Sequence, residues 1–197
     1  LLIDCETLNT QAIPLPATHR IFVIHSGIRR GLVDSEYNQR RAECEEAARV
    51  LGVTTLCSAD LANLEQQRAA LSDTVFRRAR HVISEDRRCL QMAEMLKAGR
   101  TDQLRHLMSA SHDSMRDDFE VSTIAIDQLV GRLQTALGDS GGVRMTGGGF
   151  GGCVVAIAPA SAADDIKNTV LPWYEETTGY RPQLWVVNSA DGVSKLG

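Results

Sequence analysis

The apolar positions along this chain change their spacing twice, and each change predicts a different kind of element. Residues 1–5 (Leu1-Leu2-Ile3-Asp4-Cys5) and 20–26 (Arg20-Ile21-Phe22-Val23-Ile24-His25-Ser26) are short β-rich runs separated by Pro14 and Pro16, which predicts two strands. From Asp34 or Ser35, either of which can cap a helix, the spacing turns helical. Cys44, Ala47, Ala48 and Leu51 follow at i, i+3, i+4 and i+7, and Gly52 closes the segment. Tyr37 lies seven residues before Cys44 and is expected at the N-terminal end of the same inward face. The stretch 60–138 reads as helical, with breaks near Ser72, at Gly99-Arg100-Thr101 and at Glu120-Val121-Ser122.

The last third changes character. Seven of the 16 glycines fall between 141 and 152, flanked by strand-like runs at Val143-Arg144-Met145 and Cys153-Val154-Val155-Ala156-Ile157-Ala158. A helix from about Ala162 to Thr178 and a final strand, Leu184-Trp185-Val186-Val187, complete the pattern. Counted from the strand at 21–25, the order is β, several helices, β, β, α, β. That is the split β-α-β (ferredoxin-like) topology with an enlarged first crossover, an α+β class with two helical layers expected on one face of an antiparallel sheet.

Composition narrows the function classes. In 197 residues, 21 Lys+Arg stand against 25 Asp+Glu, and the net charge of −4 offers no electrostatic case for nucleic acid. No apolar run approaches the roughly 20 residues of a membrane span. The cysteines, Cys5, Cys44, Cys57, Cys89 and Cys153, are odd in number and scattered, which predicts reduced, mostly buried thiols of a cytoplasmic protein rather than a disulfide framework or a zinc site. No two histidines are placed to share a metal on one helix face, so no metal site is expected in this chain. The mixed charges of residues 73–98 predict a solvated helix face with ion pairs. The absence of an initiator Met, and a first run that reads as mid-strand, suggest a portion of a longer protein.

The stretch Met145-Thr146-Gly147-Gly148-Gly149-Phe150-Gly151-Gly152 is the most informative. Gly147, Gly149 and Gly152 formally spell G-x-G-x-x-G, but a strand follows where a dinucleotide fold needs a helix, and no Gly-Lys-Ser/Thr follows for a Walker loop. A hairpin needs one or two glycines, not five in six residues. Such density points to close backbone approach and to N–H groups available for anionic oxygens.

Extended to Cys153, this stretch resembles the third signature of the GHMP sugar and metabolite kinases, in the form galactokinases carry. Leu1-Leu2-Ile3-Asp4-Cys5, the segment Arg29-Arg30 through Ser35-Glu36-Tyr37-Asn38 to Cys44, Arg80-His81-Val82-Ile83-x-Glu85, and Ser114 to Ser122 resemble galactokinase segments in the same order. The resemblance implies a GHMP kinase carboxy-terminal domain over 1–197, with 1–19 continuing as strand and linker from an absent amino-terminal domain. It implies that the catalytic aspartate, the phosphate loop and the magnesium ligands belong to that absent half, so the chain alone is expected to be inactive, with no catalytic residue of its own. Tyr37 and Gly148 are the implied sugar contacts. Thr146, Gly147, Gly149, Gly151 and Arg29 are implied on the phosphate side. ATP, Mg²⁺ and galactose are the implied cofactors and substrate, and nucleic acid and membrane are not implied partners. A kinase for N-acetylgalactosamine or arabinose, or a non-catalytic sugar sensor of the same build, fits the same residues. His25 stands where family members often carry Asn.

Overall fold

The computed structural model describes residues 1–28 and 34–190. Strands β1 (Leu2–Ile3) and β2 (Thr10–Gln11) pair with each other as a separate antiparallel hairpin. The main sheet holds β3 (His19–His25), β4 (Gly142–Thr146), β5 (Cys153–Pro159) and β6 (Gln183–Val187) in the order β4-β5-β3-β6, every neighbour antiparallel. Helices α1 (Asp34–Leu51), α2 (Leu61–Gln66), α3 (Asp73–Lys97), α4 (Leu104–Asp117) and α5 (Ile124–Leu137) fill the crossover from β3 to β4. The return from β5 to β6 runs through α6 (Ala163–Asp165), a π turn (Ile166–Val170) and α7 (Leu171–Thr178). This is the split β-α-β arrangement that the order of periods predicts, and the class is α+β.

Local chemistry sets the helix ends where the sequence places them. After α1, the Gly52 N–H donates to Arg49 O and the Val53 N–H to Ala48 O, with Gly52 left-handed at φ +68°, a closure that satisfies the last carbonyls. Gly99 closes α3 in the same way, through Gly99 N to Leu96 O and Arg100 N to Met95 O. Ser72 opens α3 by accepting from the Val75 N–H at 3.2 Å. The helix expected over 162–178 is interrupted by the π turn just before Pro172, which has no N–H to continue the ladder.

Three clusters hold the elements together. Phe22, Ile24, Met145, Val154 and Ala156 face α5, the π turn and α7, where Leu129, Leu133, Val170 and Tyr174 close over them. A second cluster joins Ala47, Ala48 and Leu51 of α1 to Phe76, Ala79 and Ile83 of α3, small against large. A third corrects the expectation that helices occupy one sheet face. Met95, Leu104, Leu107 and Met108 gather against Val155 and Ile157, which alternate with the first cluster's residues along β5. The unbroken apolar run of β5 accounts for it, since a strand apolar on both sides is a strand covered on both sides.

Two further expectations need correction. Cys5, Cys57 and Cys89 are exposed and Cys44 and Cys153 half-buried, so the thiols are not mostly interior. The charged stretch 73–98 is not wholly solvated either, because Arg78 is 2% exposed and bonded on three sides. No helix among the described residues is long and apolar enough to cross a membrane.

Candidate functional site

A cavity of about 390 Å³ opens between the start of α1 and the β4–β5 loop. Tyr37, Arg40, Arg41 and Cys44 line it from α1 at i, i+3, i+4 and i+7, which is one helix face. His81 and Glu85 line it from α3, Met115 from α4, and Phe119 and Val121 from the turn after α4. Arg144 on β4 and Gly147, Gly148 and Phe150 of the loop complete it. The sequence places Tyr37 on the inward face, but its side chain is 60% exposed, so it stands at the mouth and not in the core. The first turn of a helix overhangs the packed region that its later turns bury, and Tyr37 extends past the end of the Ala47–Ala48 contact.

The loop is tied down from two sides. Phe150 N–H donates to Val121 O at 2.7 Å, and Gly152 N–H to Ile28 O at 3.3 Å. A Cβ on Gly149, at φ +88°, would sit 2.5 Å from Val121 O, and one on Gly151, at φ +122°, would sit 2.8 Å from Ile28 Cγ2. These two glycines are therefore required by close approach to protein, and both are buried. Gly147 and Gly148 are exposed on the cavity side, and among the described residues no acceptor takes the N–H groups of Gly147, Gly148 or Gly149. Thr146 ends β4 and lines a neighbouring cavity of about 480 Å³, not the one under Tyr37. Arg29 lies outside the described residues.

The turn that receives Phe150 is itself fixed by arginines. Arg78 donates from Nε to Glu43 at 2.9 Å, from Nη1 to Asp118 O at 2.5 Å and from Nη2 to Glu120 at 2.6 Å. Arg40 donates to Phe119 O at 2.7 Å and to Glu120 O at 3.2 Å. Two helices thereby grip a three-residue turn in which Glu120 takes the left-handed φ of +54°. The paired guanidinium groups of Arg78 and Arg77 hold the Glu120 carboxyl below the usual range.

His81 is the cavity's neutral base. Ser114 gives its one hydroxyl proton to Asp118 at 3.0 Å, so its oxygen accepts from His81 Nδ1, also at 3.0 Å. That assigns the proton to Nδ1 and leaves Nε2 as the ring's acceptor. The ring stacks on Phe119 at 4.5 Å, and burial pushes its pKa down to about 4. The site thus offers a hydroxyl at its mouth, backbone N–H groups on one wall and a neutral acceptor inside, a set suited to a hydroxyl-rich or phosphate-bearing ligand.

Tyr37, Gly147 and Gly148 are the predicted residues that meet on this cavity. Sequence reasoning assigned no role to Arg40, His81, Glu85, Phe119 or Arg144. A signal existed for three of them, since His81 and Glu85 share a helix face and Arg144 sits three residues before the first loop glycine.

Residues 92–174 match the family model described as GHMP kinases C terminal. The chain superposes on the crystal structure of Lactococcus lactis galactokinase complexed with galactose with a TM-score of 0.88 and 30% identity, over 98% of this chain and 51% of that one. It therefore spans about half the length of that galactokinase. Weaker similarities reach L. major mevalonate kinase in complex with R-mevalonate, at TM-score 0.49 and 18% identity over 85% of this chain and 41% of the other. Streptococcus pneumoniae phosphomevalonate kinase follows at TM-score 0.46 and 12% identity, over 88% and 40%. The chain carries the C-terminal domain of the GHMP kinases.

Proposed function

We propose that this chain is the carboxy-terminal part of a cytoplasmic galactokinase, which transfers the γ-phosphoryl group of ATP to the anomeric hydroxyl of galactose. The supporting observation is that Tyr37 meets Gly147 and Gly148 on one cavity, in a chain 30% identical over 98% of its length to a galactokinase solved with galactose. In this reading Tyr37 and Gly148 contact the sugar. Thr146, Gly147, Gly149, Gly151 and Arg29 are assigned to the phosphate of the ligand, with Gly149 and Gly151 acting through the path they give the loop. The N–H groups of Gly147 and Gly148, which meet no acceptor among the described residues, suit a phosphate oxygen.

Among the described residues no three His, Cys, Asp or Glu side chains converge as a metal site. The reading assigns the Mg²⁺ ligands, the catalytic aspartate and the nucleotide-phosphate loop to an amino-terminal domain outside this chain. Phosphoryl transfer rests chiefly on positioning and charge stabilisation. This chain's share is positioning: Tyr37 holds the sugar at the mouth while the glycine loop shapes the wall beside it.

The test uses the intact enzyme that contains this chain, assayed with ATP and galactose, N-acetylgalactosamine or arabinose. Galactose 1-phosphate is the expected product, and Tyr37→Phe is expected to lower kcat/KM for galactose by roughly 5- to 150-fold, the cost of an unpaired sugar hydroxyl. The KM for ATP stays unchanged. Turnover of another sugar in preference to galactose reassigns the substrate, and binding without turnover makes the protein a sensor. The 197-residue chain alone forms no product in this reading, and clear turnover by it would overturn the assignment of the catalytic residues.

A further inference from the structure

β4 is an edge strand, and the two backbone groups that its edge turns outward at Met145 are both satisfied by side chains. Met145 N–H donates to His112 Nδ1 at 3.4 Å, and Met145 O accepts from Arg144 Nε at 3.0 Å. The same Arg144 guanidinium donates from Nη1 to Glu85 Oε1 at 2.5 Å and to Ser111 Oγ at 2.9 Å. Glu85 is bonded on both oxygens, since Ser111 Oγ also donates to Oε1 at 2.5 Å and Arg88 Nε donates to Oε2 at 2.8 Å. Arg144 and Glu85 line the cavity under Tyr37 and the one beside Thr146, so the pair is the partition between them. It is about three-quarters buried on both sides, with 31% and 23% of the side chains exposed.

The placement matters because Arg144 stands at the entry to the glycine loop. Met145 and Thr146 lead straight into that loop, whose far end is tied to Val121 and Ile28. Tension at the far end defines the loop only if its entry is equally fixed, and the entry lies on an edge strand supported by one neighbour. We propose that Glu85 and Arg144 form a positioning pair that locks the exit of β4 and thereby sets where the Gly147–Gly148 backbone stands against the ligand. The pair touches no reacting atom. Its effect on turnover rests on the kinase reading above, whereas its effect on the loop does not.

Two readouts in the intact enzyme separate the possibilities. In Arg144→Met, amide hydrogen exchange at Phe150 and Gly152, the loop's bonded N–H groups, is expected to speed up about tenfold, while exchange in α5 and α7 stays as in the wild type. With galactose and ATP, kcat falls about 10- to 100-fold and both KM values stay within about threefold, the pattern of a misplaced wall rather than lost binding. Arg144→Lys, which keeps the charge without the fork, falls between wild type and Arg144→Met. Glu85→Gln keeps the shape of its partner and gives the same loop-specific change should Arg144→Met fold poorly. In the loop readout the double variant Glu85→Gln with Arg144→Met is no worse than Arg144→Met alone, because the contact between the two is removed once, whereas the weakened Arg88 contact of Glu85 adds its own loss only to global stability. Faster loop exchange in an enzyme that phosphorylates no sugar upholds the pair and sinks the kinase reading. Unchanged loop exchange in a folded variant overturns the pair, whatever the kinetics.

Discussion

Gly149 turns its bare Cα toward Val121 so closely that a methyl group there would lie 2.5 Å from the Val121 carbonyl oxygen and 2.6 Å from its Cβ. The same carbonyl accepts the N–H of Phe150 at 2.7 Å, so the approach is a bonded one that cannot simply open. Gly149→Ala is therefore expected to cost about 2–5 kcal/mol, the sum of a left-handed alanine and an overpacked contact. Gly99 is the control. It has a positive φ of +67° but nothing within 4 Å, so Gly99→Ala is expected to cost only about 1–2 kcal/mol. Urea unfolding of the two variants checks the difference, and equal costs would remove the close contact from the account.

Arg78 supports the prediction of largest effect outside the loop. Its guanidinium is 2% exposed and holds Glu43, the Asp118 carbonyl and Glu120 together. Arg78→Met leaves the largely buried Glu43 with only a longer contact to Arg40 at 3.5 Å and the Gln39 amide, and releases the turn against which the glycine loop packs. A loss of about 3 kcal/mol is expected. Neighbouring Arg77 is 34% exposed and among the described residues meets only Glu120 and the Asp117 carbonyl, so Arg77→Met is expected to stay within about 1 kcal/mol. Thermal unfolding of both variants tests this, and a small effect at Arg78 would reduce it to a surface charge.

What the sequence made legible depended on how local its cause was. The strands at 21–25, 143–145 and 153–158, the Gly52 and Gly99 helix ends and the Ser72 cap each follow from residues within a turn of one another. Tyr37 and Gly147–Gly148 were placed together by resemblance, not by spacing, and the structure brings them onto one cavity. The contacts that the sequence did not disclose are long-range. Arg78 reaches Glu120 across 42 positions and Arg144 reaches Glu85 across 59, and no periodicity records such a pairing. Mixed charge along 73–98 looks the same in sequence whether an arginine meets water or a buried turn. The thiols mislead for the related reason that burial frequency by residue type says nothing about which side of a helix a given cysteine takes.

Thiol reactivity gives a direct check on that last correction. Cys5, Cys57 and Cys89 are exposed, whereas Cys44 is half-buried and its burial pushes the thiol pKa up to about 11. Partial burial also raises Cys57 and Cys89 above the usual range. An aromatic disulfide reagent at pH 8 is expected to modify the exposed Cys5, Cys57 and Cys89 in the native protein first, and to reach the half-buried Cys44, almost wholly protonated at that pH, most slowly of these four. In urea all five cysteines react alike. Rapid native modification of Cys44 would show that the cavity wall formed by α1 opens readily.

The pH dependence of stability follows from His81. Burial lowers its pKa to about 4, against opposing pulls from Glu85 and Asp118 and with further lowering by Arg88 and Arg144. Unfolded, the ring titrates near 6.5, so between about 6.5 and 4 the unfolded chain binds a proton that the folded one refuses. The folded state is fully favoured above that window and loses stability as pH falls through it, by at most about 1.4 kcal/mol per pH unit for one such group. His112 is lowered by burial as well and adds in the same direction, even though its Nε2 lies 3.1 Å from Asp127 Oδ1, off the hydrogen-bond axis. The carboxyl of Glu85, which burial pulls up but Ser111, Arg144 and Arg88 hold below the usual range, adds stability that is fully present above that range and is lost only as pH falls below about 4.5. Unfolding free energies measured in urea from pH 7.5 to 4.5 are therefore expected to fall fastest below pH 6.5. His81→Gln, which keeps a neutral donor and acceptor in the ring's place, lowers stability at pH 7.5 but flattens the decline. An undiminished slope in that variant would mean that His81 takes up its proton as readily in the folded protein as in the unfolded chain, so that burial does not keep the ring neutral.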